Sequence, residues 1–208
     1  MKKSTTLAAL VLGLVGALAA APAYANSINP VVQYTSTSNV SDPRAFTLGY
    51  EFTTTTTFDI NALGVWDTGP STGSSQNQQV GIWDSSGNLL VSTTVLGTAP
   101  DIDNFQWAPV SYSLAPGTYT IGATFYNTDF PNQATGITTL AGYTWVSDEQ
   151  IIGGGLNEPT NSIGGYGDNG ILWADFSVQA PEGGSPWEFL VLAAGCMASA
   201  FGNRHRRA

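Results

Sequence analysis

The sequence predicts an all-β fold, a single antiparallel β-sandwich of jelly-roll-like form, and three observations carry that expectation. Apolar residues in the body of the chain alternate instead of recurring every three or four positions, which is the periodicity of strands. Turn-forming clusters interrupt this alternation at short intervals. Thr, Val, Tyr and Trp dominate the alternating runs, the residue types that suit a pleated, half-buried surface.

The chain of 208 residues opens with Lys2 and Lys3 ahead of an uncharged apolar run over residues 7–20, followed by "APAYA". A basic start, an apolar run and small side chains at Ala23 and Ala25 form the pattern that signal peptidase reads. Residues 1–25 are therefore expected to be a signal peptide cut after Ala25. An apolar run of this length is too short to span a bilayer comfortably.

Residues 26–180 form the expected β-sandwich domain, long enough to bury one core without disulfides. Phe46, Leu48, Tyr50 and Phe52 should share one strand face. "FTTTTTF", residues 52–58, reads as a strand with one wet face. "LGVWD" and "VGIWD" read as two further strands, with Leu63, Val65, Val80 and Ile82 inward and Trp66 and Trp83 on the opposite, reachable faces. "DTGPSTGSS", "DSSGN" and "APGT" supply turns; in the last, Pro116 presets φ and Gly117 tolerates positive φ. Tyr119, Ile121, Ala123 and Phe125 define another strand face. Residues 132–170 are glycine-rich with brief apolar clusters and read as a long surface excursion. "ILWADFSVQ" returns the chain to a final strand, with Leu172, Ala174, Phe176 and Val178 on one face, and a linker begins near residue 180.

Charge narrows the function. The body holds thirteen Asp or Glu and a single basic residue, Arg44, a balance near −12. Such a surface repels a phosphate backbone, which excludes nucleic acid as a partner. The body contains no His, Cys or Lys, so the usual triads and zinc sites are absent, and no catalytic residue is assigned. A carbohydrate-active enzyme using a carboxylate pair is the alternative that this composition leaves open. Most acids, including Asp67, Asp84 and Asp129, read as turn residues. Calcium is the one cofactor the acids suggest, with Asp101, Asp103 and Asp168 as candidate ligands, although their spacing matches no calcium loop. The aromatics point to glycan contact: Trp66, Trp83, Trp107, Trp145 and Trp173 lie in the body, and exposed rings stack on pyranose faces. Core or edge packing is the usual place of such rings in sandwiches, and a second packed layer would cover them; where the rings do meet glycan, Trp66 and Trp83 are the reachable pair, and Trp83→Ala should then leave the melting temperature nearly unchanged.

The last 28 residues, 181–208, run Pro181-Glu182-Gly183-Gly184, then an apolar segment over 187–202, then a basic tail over 204–207 with Arg204, Arg206 and Arg207. As a helix, the uncharged run 189–201 is about 20 Å long, short of a bilayer core of about 30 Å. It anchors marginally, with the arginines on the cytoplasmic side. These three parts in this order resemble the PEP-CTERM sorting signal of Gram-negative bacteria, with Gly183 standing where that signal usually has Pro. The resemblance implies that an exosortase recognises Pro181 and Glu182 in the inner membrane, cuts nearby and releases the protein to the cell surface or an exopolysaccharide matrix. The stretches "FTTTTTFDINALGVWD", "QVGIWDSSGNLL" and "YSLAPGTYTIGA", within residues 52–125, are similar to an uncharacterised β-sandwich module of secreted bacterial proteins, which implies surface display without an established activity.

Overall fold

A computed structural model of the protein describes residues 28–67, 76–163 and 173–179. The signal peptide, the sorting tail, Leu172, most of "DTGPSTGSS" and Asp168 lie outside the described residues. Within them the chain is all-β and its sheets are antiparallel. The strands are β1 (Val32–Gln33), β2 (Ser36–Thr54), β3 (Phe58–Trp66), β4 (Gln78–Asp84), β5 (Leu89–Val95), β6 (Asp101–Ile102), β7 (Phe105–Leu114), β8 (Gly117–Thr135), β9 (Thr138–Thr139), β10 (Tyr143–Ile152), β11 (Asn161–Ser162) and β12 (Ala174–Val178). A six-stranded sheet has the order β11-β10-β2-β8-β4-β5, a four-stranded sheet the order β12-β3-β7-β6, and β1 pairs with β9 as a short ribbon.

The β2–β8 ladder sets the inner face of the larger sheet. Phe46 opposes Phe125, Leu48 opposes Ala123, Tyr50 opposes Ile121 and Phe52 opposes Tyr119. All but the half-buried Tyr119 are buried. The register shifts between Asp42 and Ala45, where Pro43 has no N–H to give the ladder. The smaller sheet turns Ile60, Leu63, Val65, Phe176 and Val178 toward the larger one. Phe176 meets Phe52 at a ring separation of 5.3 Å and Phe58 at 6.2 Å, which places the core between the two sheets. A β-bulge near Asn61 shifts the register of β3 against both β7 and β12, so Ile60 and Leu63 face the same way although three positions apart.

Three expectations change. "FTTTTTF" is not one strand: β2 ends at Thr54, β3 begins at Phe58, and exposed Thr55, Thr56 and Thr57 connect them. The Thr55 N–H donates to the Gly142 carbonyl, tying this connection to another loop. The glycine-rich excursion contains β10, whose residues pair with β2 from Thr54 to Phe46. A register shift between Trp145 and Ser147 and a buried Asp148 break the alternation that would have announced this strand. Asp129 pairs with Ser41 inside the β2–β8 ladder instead of sitting at a turn.

Residues 155–159 of the excursion form a strap over the outer face of the larger sheet. Gly49, Gly122 and Gly81 occupy neighbouring positions on β2, β8 and β4 and leave a channel across the sheet. A Cβ on Gly122 would stand 2.9 Å from Pro159, and one on Gly81 3.2 Å from Leu156. The Thr47 hydroxyl donates to the Gly155 carbonyl at 3.2 Å and accepts from the Asn157 N–H at 3.2 Å. The strap explains Trp83. Its ring lies 3.1 Å from that same position over Gly81, beside Leu156 and Leu89, and Trp83 is only 4 % exposed. Trp83→Ala should therefore cost about 3–5 kcal/mol and lower the thermal midpoint clearly; an unchanged midpoint would contradict this placement.

Candidate functional site

The five Trp residues of the body divide by burial. Trp66 (6 % exposed), Trp83, Trp107 (8 % exposed) and Trp173 are buried and Trp145 is half-buried. Trp66 faces away from Val65, as alternation requires, but this side of β3 is also covered: the Trp66 indole Nε1 and the Tyr34 hydroxyl are both buried, and burial pushes the Tyr34 phenol up. Neither Trp66 nor Trp83 offers a ring face to a polymer. A second layer of chain covers both, and strand periodicity carries no information about such a layer.

Trp107 is buried to a similar degree, but it lines a cavity. On β7 it opposes Gly64 of β3, and a Cβ at Gly64 would fall 2.7 Å from Cε3 and Cζ3 of the indole. The ring therefore lies over the bare Gly64 backbone. The indole Nε1–H donates to the Ile102 carbonyl at 3.0 Å, and Phe105 packs 5.5 Å away, centroid to centroid. Its donor spent and one side backed by the sheet, the indole lines an apolar cavity of about 360 Å³ with Ile28, Ala62, Leu96, Thr98, Ala99, Pro100, Ile102 and Pro109. Ala62, Gly64, Trp107 and Pro109 alternate with the core residues Leu63 and Val65 and their partners, so this cavity opens on the face turned away from the larger sheet.

A second cavity lies further along the same two strands. Asp59, Ile60, Asn61, Val110, Ser111, Tyr112, Ser113 and Gln179 line a recess of about 250 Å³. Its Asn61 and Val110 are the chain neighbours of Ala62 and Pro109 in the first, so the two recesses lie at successive positions along β3 and β7, on either side of the β-bulge, a device that re-aims side chains. The Gln179 N–H donates to the Asp59 carbonyl and ties the chain beyond β12 to the start of β3. An apolar platform is thus followed along β3 and β7 by a cluster of amides, hydroxyls and one carboxylate. Sequence reasoning named Trp107 among the aromatics and missed the other groove residues, because their convergence depends on the bulge and on the β3–β7 register.

The candidate calcium residues occupy a hairpin. Asp103 and Asn104 join β6 to β7 with φ of 55° and 66°, the two-residue positive-φ turn that Asp and Asn favour. Partial burial, then Asp67 and Asp103, raise the Asp101 carboxyl above its ordinary value. Among the described residues no three His, Cys, Asp or Glu side chains converge as metal ligands. Asp103 lines a smaller cavity of about 140 Å³ with Gln33 and Tyr34. Asp84 acts as a turn residue, its Oδ1 accepting from the N–H groups of Ser86 and Asn88.

Asp175 was not singled out by sequence and is 1 % exposed. Its Oδ1 accepts from the Phe176 N–H at 2.8 Å and the Tyr50 hydroxyl at 3.4 Å, and its Oδ2 from the Val32 N–H at 3.4 Å. Burial raises its pKa well above the carboxylate range, and the same cause raises the phenols of Tyr50 and Tyr143. Asp175 lines none of these three cavities; it fastens the segment before β2 to β12.

Compared with protein-family models, curated proteins and solved structures, the chain matches none.

The raised pKa gives a sign. The native state holds a proton that the unfolded chain releases near pH 4, so this contribution to stability is complete below that pH and is lost as pH rises toward the native value. Thermal midpoints measured from pH 4 to 8 should decline less in Asp175→Asn than in the wild type. Parallel profiles would show that Asp175 does not govern the decline.

Proposed function

We propose that this chain is a non-enzymatic, exported surface or extracellular-matrix protein that binds exopolysaccharide. On this reading signal peptidase removes residues 1–25, the tail 181–208 holds the protein transiently in the inner membrane, and an exosortase cuts near Pro181 and Glu182. The body is a jelly-roll-like sandwich formed by the two facing sheets. The observation that carries the binding reading is the indole of Trp107 backed by Gly64 beside a recess of hydroxyl- and amide-bearing side chains. Sugars are recognised by this combination of a flat apolar surface and directional polar groups.

The arrangement of acids favours binding over hydrolysis. Glycosidases of either stereochemistry generally place two carboxyl groups about the scissile bond. Among the described residues the apolar cavity is lined by no acid, the polar recess by Asp59 and the small cavity by Asp103.

Two measurements test the proposal. The intact mass of protein extracted from the cell surface should lack residues 1–25 and the tail beyond about Pro181; a mass that includes Arg206 and Arg207 overturns processing. Retention of the mature protein on the organism's exopolysaccharide should change less than about twofold between low and high salt, because stacking and neutral hydrogen bonds are screened little. Steep loss of retention with salt would overturn the stacking account.

A further inference from the structure

We propose that the groove along β3 and β7 is specific for an acetylated, otherwise uncharged polysaccharide, with the acetyl methyl in the apolar cavity over Trp107 and the neighbouring sugar hydroxyls in the polar recess. The inference rests on the polysaccharide-binding reading and names the chemistry that the site selects.

The two halves of the groove make opposite demands. The indole of Trp107 has no donor to spare, since its Nε1–H is held by the Ile102 carbonyl. Leu96, Pro100 and Pro109 continue the same apolar wall. An unsubstituted hexose seated there would lose water from its hydroxyls and gain no partner, which disfavours it. A methyl group gains from the same surface. Across the bulge, Gln179 offers an amide, Ser111 and Ser113 hydroxyls, and Asp59 a carboxylate, a set that reads hydroxyls and amide or ester groups. The ligand that fits both halves carries a methyl a few atoms from hydroxyls, as an acetylated sugar does. Charge removes the competing polymers. Asp59 lies in the recess and Asp101 and Asp103 on the β6–β7 hairpin beside Ile102, in a chain of net charge −9, so uronate, sulfate or phosphate polymers are repelled.

The test uses the mature protein and defined probes by calorimetry. Chito-oligosaccharides are compared with cello-oligosaccharides, which share the backbone linkage and lack the N-acetyl group. O-acetylated glucomannan fragments are compared with the same fragments after mild alkaline deacetylation. At least one acetylated probe should bind at least about tenfold tighter than its bare counterpart, and the pair that does so identifies N- or O-acetyl as the source. Trp107→Ala tests the platform but also removes packing, so Leu96→Asp is the companion variant: Leu96 is 51 % exposed at the cavity rim, and a carboxylate there should abolish the acetyl preference without lowering the thermal midpoint. Equal binding of acetylated and bare probes, no binding of either, or an acetyl preference that survives Leu96→Asp overturns the proposal. If the wild type is still retained on the native exopolysaccharide after complete deacetylation, the acetyl specificity fails while the polysaccharide-binding reading stands. Loss of all retention on the untreated polymer fails both, and tighter binding to an apolar peptide than to any sugar probe assigns the groove to protein instead.

Discussion

The pairing of β2 with β8 is the constraint on which the rest of the architecture depends. It joins segments far apart in sequence, from Ser36 opposite Thr135 to Thr54 opposite Gly117. A slip of one residue would carry Phe46, Leu48, Tyr50 and Phe52 from the core to the outer face and lose most of the larger sheet's apolar burial. The same register aligns Gly49 with Gly122, where a Cβ on Gly49 would run into the Ile121 carbonyl, and so opens the channel that receives Pro159 and Leu156. One ladder thus decides both what lies inside and what can be laid across the outside. Such non-local pairing must pay its loop-closure entropy before contacts reward it, which makes folding slow relative to helical domains.

The smaller sheet inherits its position from that ladder. Phe52 and Tyr143 meet Phe176, and this contact seats β12 against the larger sheet with Ile60, Leu63 and Val65 behind it. Once the inner face of β3 is committed, alternation turns Ala62 and Gly64 outward. The absence of a side chain at Gly64 then matters chemically, because it lets the indole of Trp107 lie against the sheet. The bulge at Asn61 delivers polar groups to the far end of the same groove. Core packing and the candidate site are consequences of one register.

The legibility of the sequence followed the physics of alternation. Where a strand has one buried and one open face, as with Phe46 to Phe52 or Ile121 to Phe125, its inner residues could be read directly. Reading failed where a second layer intervened: Trp66 and Trp83 were on the expected face but buried, Trp83 beneath the strap. It failed at irregularities too, since the bulge near Trp145 and the buried Asp148 disguised β10 as loop. "FTTTTTF" misled because β-branched Thr suits both a strand and the exposed bend that connects two strands. The groove itself was illegible because its parts come from β3, β7, the chain before β6 and the end of β12, brought together only by pairing.

The central claim, that the molecule meets its ligand through the outer face of the smaller sheet, is tested most directly by the indole N–H resonances of the mature protein in a nitrogen-15-labelled NMR titration with acetylated oligosaccharides. The account predicts that the Trp107 signal shifts with ligand while those of Trp66, Trp83 and Trp173 stay in place, because among the described Trp residues Trp107 alone lines the groove. A shift at Trp83 with Trp107 unmoved would contradict it and relocate the site to the strapped face of the larger sheet.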